Sequence, residues 1–210
     1  MPGMTMGGQG GASILPTWVA IVWLVAFAAI AASHCRHLAA SHGQRRAWHA
    51  GHVLMAVGMV FMYAASASGS FSTPGAVWQV MFGYAAAATL AWMLVALLYR
   101  RAVNALWPML ALDLGAMAYM WSGTGLVAPL TWTLVAYLTV QAGLWSVSAY
   151  REIDGRWQLG GGSGLSPSGG GGTFSLTVAR SEPLIRNVEL RPSLIAMSLG
   201  MAYMFVAMLT

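Results

Sequence analysis

Between His34 and Met62 the chain holds its densest set of side chains able to bind a metal ion. Four of the five histidines stand there in two pairs, His34 with His37 and His49 with His52, each pair three residues apart. On a helix, residues at that spacing share a face. From His52 the face runs on through Met55, Met59 and Met62, and at 100° per residue these four side chains fall within roughly 80° of arc. Imidazole nitrogens followed by thioether sulfurs along one stripe suit a soft ion, copper(I) first among them. Zinc on the two H-x-x-H pairs is a second form of the idea. Haem held by His34 or His37 with His49 or His52 is a third. Because all these histidines belong to one hairpin, a pair of haems stacked across a membrane is not available.

The methionine pattern recurs. Gly58-Met59-Val60-Phe61-Met62, Gly115-Ala116-Met117-Ala118-Tyr119-Met120 and Gly200-Met201-Ala202-Tyr203-Met204 each place a glycine ahead of two methionines three apart, with an aromatic just before the second. Met109, Asp113, Met117 and Met120 fall within roughly 80° of helical arc, and Met197, Met201, Met204 and Met208 within roughly 60°. Such stripes equally suit core packing, where methionine fills irregular gaps. Asp113 is the only carboxylate inside an apolar block. In a bilayer it would serve as a proton or cation site of a small transporter, or as a hydrogen-bond partner for a neighbouring helix.

The elements that must position these groups are membrane helices. The chain is 58% hydrophobic and 7% charged, with a mean hydropathy of +0.66. Its apolar residues come in blocks long enough to cross a bilayer. Six spans are predicted: Leu15–Ala32, Trp48–Ser66, Val77–Tyr99, Ala105–Trp121, Leu126–Ala149 and Leu194–Thr210. Continuous apolar runs without period-two alternation mean helices, not a barrel. The expected architecture is therefore an all-α, polytopic six-helix transmembrane bundle. The repeated stripe on the second, fourth and sixth spans suggests three related helical hairpins.

All ten basic residues are arginine, and they fall only in the segments after spans one, three and five. By the positive-inside rule those loops are cytoplasmic and both termini lie outside. The net charge of +5 is that topology signal, so no nucleic-acid footprint is read into it. The first span lacks a positive leader and is followed by its arginines, so it reads as a retained helix, not a secretory signal. Trp48, Trp78, Trp107 and Trp121, at span ends, read as interfacial anchors. Cys35, the one cysteine, has no internal disulfide partner and would face the reducing cytoplasm. In domain terms, residues 1–150 hold spans one to five, 151–193 form a cytoplasmic loop, and 194–210 the sixth span. Within the loop, Gly160–Gly172 is a glycine/serine linker and Thr173–Val178 a possible short strand. The Gly-rich Met1–Ala12 has no means of ordering itself.

If the stripes face one another, they outline a path for copper. Met4 and Met6 would lie outside, Met62, Met120 and Met204 in the outer leaflet, Met59, Met117, Met201 and Asp113 at mid-depth, and His52 and His49 at the cytoplasmic end. A different class of role needs no metal: an accessory or scaffold subunit packing against a membrane-protein partner, or against copies of itself. Gly83-x-x-x-Ala87, Gly51 and Gly58 offer close helix approach for it. No P-loop, G-x-S-x-G elbow, H-E-x-x-H or C-x-x-C motif is present, so no enzymatic activity is expected.

At Arg36–Leu38, at W-H-A-G-H-V-L-M-A-V-G-M (Trp48–Met59) and at M-S-L-G-M-A-Y-M-F (Met197–Phe205), the chain resembles an actinobacterial family of integral membrane proteins classed as a domain of unknown function. The Trp-His-x-x-His-x-x-Met-x-x-Gly-Met run is the most specific piece, and the Gly-rich loop lies outside the resemblance. The resemblance implies a multi-pass protein of a bacterial plasma membrane, and puts most weight on His49, His52, Met55 and Met59. The functional expectation is soft-metal binding through the His/Met faces.

Overall fold

In the computed structural model, which describes residues 15–68, 75–99, 103–104, 106–122, 127–147, 158–159 and 190–209, the apolar blocks form six α-helices. They are α1 (Thr17–Ala40), α2 (Gly43–Ser68), α3 (Gly75–Leu98), α4 (Leu106–Met120), α5 (Ala128–Ser146) and α6 (Leu190–Leu209). Four of them begin at a proline: Pro16 caps α1, and Pro108, Pro129 and Pro192 lie in the first turns of α4, α5 and α6. There the missing N–H costs nothing, because first-turn amides have no helical partner. A two-residue antiparallel ladder, β1 (Val103–Asn104) with β2 (Gln158–Leu159), is the only strand pairing among the described residues.

The helices exceed the predicted spans where function is concerned. α1 runs to Ala40, eight residues past Ala32, so His34 and His37 stand on the helix. α6 starts at Leu190, which moves four residues assigned to the loop into the helix. The N-terminal Met1–Ala12 with Met4 and Met6, the linker at 160–172 and the strand expected at 173–178 lie outside the described residues.

Helices α1, α2, α3 and α6 are long and apolar enough to cross a membrane. α4 is apolar but has 15 residues, a rise of about 22 Å against a hydrocarbon thickness of about 30 Å.

The bundle has an inside row and an outside row. α2, α4 and α6 bury nine residues each, whereas α1, α3 and α5 bury four, two and five. The stripe-bearing helices thus form the interior. The others turn Ile21, Val25, Val80, Leu94, Leu98 and Val140 outward, as helices against lipid do. The most extensive helix contacts are α1–α2, α3–α4 and α5–α6, which are the three expected hairpins.

Aromatic side chains lock neighbouring hairpins through two of the three repeated glycines. Phe82 of α3 lies so close over Gly58 that a Cβ there would meet its Cζ at 2.5 Å. Phe27 of α1 lies over Gly200 of α6, with its Cε2 and Cζ 2.6 Å from a Cβ position. Each phenyl is flanked by the tryptophan four residues earlier: Trp78–Phe82 and Trp23–Phe27 both have ring centroids 5.9 Å apart. The third glycine, Gly115, has open space at its Cβ position. In α5 the corresponding pair reads Trp132-x-x-x-Ala136, with no phenyl to supply. Tyr63 adds a tie from α2 to α6, its hydroxyl donating to the Gly200 carbonyl at 2.9 Å.

Candidate functional site

Only Ser41 and His42 separate α1 from α2, and Gly43 opens α2 with φ 59°, a left-handed conformation that glycine adopts freely. So short a reversal sets the last turns of α1 against the first turns of α2. The two H-x-x-H pairs thereby meet. Ring centroids lie 5.3 Å apart for His34–His49, 5.1 Å for His34–His52 and 5.4 Å for His37–His49. His34, His49 and His52 are buried and His37 is half-buried; Cys35 and His42 are exposed. Trp48, expected at an interface, is 1% exposed and packs its ring on His52, with centroids 3.9 Å apart.

The hydrogen bonds determine which nitrogens are free. Ser193 Oγ donates to the Leu190 carbonyl at 2.6 Å, so toward His34 Nε2, 3.4 Å away, it acts as the acceptor. A neutral His34 then carries its proton on Nε2 and presents a bare Nδ1. His49 Nδ1 lies 3.1 Å from that atom and must be the donor. His49 Nε2 is left with a lone pair. His52 Nδ1 donates to the Trp48 carbonyl at 2.9 Å, which leaves its Nε2 bare as well. In these tautomers the Nε2 atoms of His49 and His52 each keep a lone pair that accepts no hydrogen bond from the described residues. The direct His34–His49 contact leaves no gap for a macrocycle between those rings. Among the described residues, no three His, Cys, Asp or Glu side chains converge on one metal position.

Above the histidines the interior is rich in sulfur. Met55, Met59 and Met62 of α2, Met117 and Met120 of α4, and Met197, Met201 and Met204 of α6 are all buried in one contiguous core. Met117 of α4 reaches α2, with its Cε 3.1 Å from the Cβ position of Gly58.

Asp113 stands apart from this line. It is buried, and both oxygens accept from α5: Oδ1 from the Tyr137 hydroxyl at 3.2 Å and Oδ2 from the Gln141 amide at 3.0 Å. Gln141 Oε1 has no donor among the described residues. The carboxylate joins α4 to α5 across their seam.

Several residues that define these sites escape a reading by motif. Ser193 behind His34, and Tyr137 and Gln141 around Asp113, come from positions with no local signature, whereas Trp48 stands one helical turn before His52 on the same face. The phenylalanine locks have one: W-x-x-x-F at Trp23–Phe27 and Trp78–Phe82, in register on two odd-numbered helices.

The chain belongs to the family described as Domain of unknown function (DUF5134), whose model matches residues 43–208. The match begins where α2 begins, so α1 with His34 and His37 precedes it, and His49, His52 and all three methionine stripes fall within it. No curated protein and no solved structure matches the chain.

Proposed function

We propose that this is a multi-pass protein of a bacterial plasma membrane, with both termini outside, that binds copper(I) at His49 and His52 and hands it to the methionine-lined interior. The observation that carries the reading is the meeting of four imidazoles, His34, His37, His49 and His52, at the foot of that interior. A soft ion in a dry site accepts few ligands, and imidazole and thioether are the donors it prefers. Met55 follows His52 by one helical turn on the same face, which makes it the nearest thioether in sequence to join them. His34 and the Trp48 carbonyl act one step back: they hold the protons of His49 and His52 on Nδ1 and so aim the Nε2 lone pairs. Zinc, which takes four ligands in structural sites, fits this donor set less well. In this reading Asp113 is a helix clasp, not a transport site.

The test is metal content of detergent-purified protein, loaded with copper under reducing conditions and washed, beside the His49→Ala/His52→Ala double variant. Close to one copper per chain is expected in the wild type, with at least a tenfold loss in the double variant and a smaller loss in Met59→Ala. Equal copper in all three would overturn the reading. Metal-free protein that co-purifies with another membrane protein would replace it with an accessory role.

A further inference from the structure

Of the four imidazoles at the α1–α2 turn, His34, His49 and His52 are 0%, 2% and 4% exposed, whereas His37 is half-buried. Cys35 and His42 are exposed nearby, but only His37 combines contact with solvent and a ring against the cluster. Its centroid lies 5.4 Å from that of His49, with the planes 17° apart. Each buried ring is fixed by a hydrogen bond, His34 and His49 to one another at 3.1 Å and His52 to the Trp48 carbonyl at 2.9 Å. His37 has no hydrogen bond among the described residues, so its ring turns without breaking one. No three of the rings converge on one metal position. Four imidazoles that meet without converging act in succession, not as one tetrahedral site.

We infer that His37 is the ligand through which copper(I) enters: it captures the ion at the surface of the bundle and passes it to His49, which shares a helix face with His52. The inference rests on the copper reading above and adds the order in which the ligands act. Two constraints give that order. A bare cation in a dry, apolar interior is costly, so the ion has to meet its next donor before it leaves the last. With metal–nitrogen bonds of about 2 Å, an imidazole centroid stands about 3 Å from its ion, and two rings up to about 6 Å apart can hold one ion between them. The His37–His49 separation is inside that limit, so transfer there needs a turn of a ring and no movement of helices. His34 cannot take the first step, because it is fully buried and its Nε2 faces Ser193 Oγ at 3.4 Å.

Stopped-flow transfer of copper(I) from its coloured bicinchoninate complex to the detergent-purified full chain tests the order, with copper per chain measured at the end point. His37→Leu should load about tenfold more slowly than the wild type, because capture no longer makes the next step intramolecular, yet should reach the same end point. His37→Met has a similar size and a donor that copper(I) accepts, and should load within about twofold of the wild type. His42→Ala, at the exposed histidine of the turn, should load as the wild type does. Loading of His37→Leu at the wild-type rate would overturn the inference and leave the copper site standing. Equal slowing in His37→Met and His37→Leu would overturn it too, since the ring would then serve packing alone. An end point for His37→Leu as low as that of His49→Ala/His52→Ala would make His37 a holding ligand and not an entry ligand. A wild type that takes up no copper, here or in the loading-and-washing test, would overturn the site and the inference together.

Discussion

Around Asp113, both carboxylate oxygens take a proton donor from α5, whereas at the α1–α2 turn the histidine chain ends in two nitrogens that accept no hydrogen bond from the described residues. The first arrangement lies within one helix pair and leaves Gln141 Oε1 as a buried acceptor with no donor among the described residues. The second draws on three helices, α1, α2 and, through Ser193, α6, and still leaves lone pairs over. The packing differs too. Phe27 fills the α1–α6 seam at Gly200, while Gly115, on the helix that carries Asp113, has open space at its Cβ position.

The widest separation between the two regions should appear in metal content. His49→Ala/His52→Ala should lose at least tenfold in bound copper, and Asp113→Asn should bind as the wild type does; copper lost in Asp113→Asn would break the comparison. Next is thermal unfolding in detergent. Asp113→Leu removes the acceptor of the Gln141 amide and one hydrogen bond of Tyr137 and should cost about 1–3 kcal/mol. Asp113→Asn, which can still accept from one and donate to the other, should stay within about 1 kcal/mol of wild type. A smaller contrast comes from the glycines. Gly200→Ala must displace the buried Phe27 ring and should cost about 1–2 kcal/mol. Gly115→Ala has room and should be neutral or gain up to about 1 kcal/mol from helix propensity. Equal penalties would mean that the two seams are packed alike. The smallest effect is expected from Tyr63→Phe, about 1 kcal/mol for the bond to the Gly200 carbonyl.

Much of this architecture is legible along the chain, because apolar length and 3.6-residue periodicity are local properties. The six segments appear with ends within a few residues of those expected, apart from α1, α2 and α6, which extend further at the ends bearing His34, Arg45 and Leu190. Those turns are polar enough to drop out of a hydropathy reading, yet they continue the helices. The inward turn of the stripes follows from period alone, as does the sharing of a face by His49 and His52. What period cannot supply is which faces meet. Asp113 finds its donors 24 and 28 residues away, and His34 meets Ser193 at a separation of 159. Trp48 shows the same limit: a tryptophan at a span end has the composition of an interfacial anchor, and only the sharp turn at Gly43 sets it against His34 of α1.

The pairing of each inner helix with its own outer neighbour also bears on how such a chain is assembled. Each of the three hairpins brings most of its helix contacts with it, so two helices adjacent in the chain can pair as a unit before the rest assembles. Joining the units then falls to fewer side chains, among them one phenyl ring seated on a glycine at each of two junctions, a carboxylate grasped by two donors at the third, the Tyr63 contact from α2 to α6 and the Ser193 contact from α6 to α1. Assembly is thereby split into a local step, set by segments adjacent in the chain, and a late step in which couplings of different kinds join the hairpins. Because the couplings differ in kind, a unit docked at the wrong junction would find a ring without its glycine or an acid without its donors.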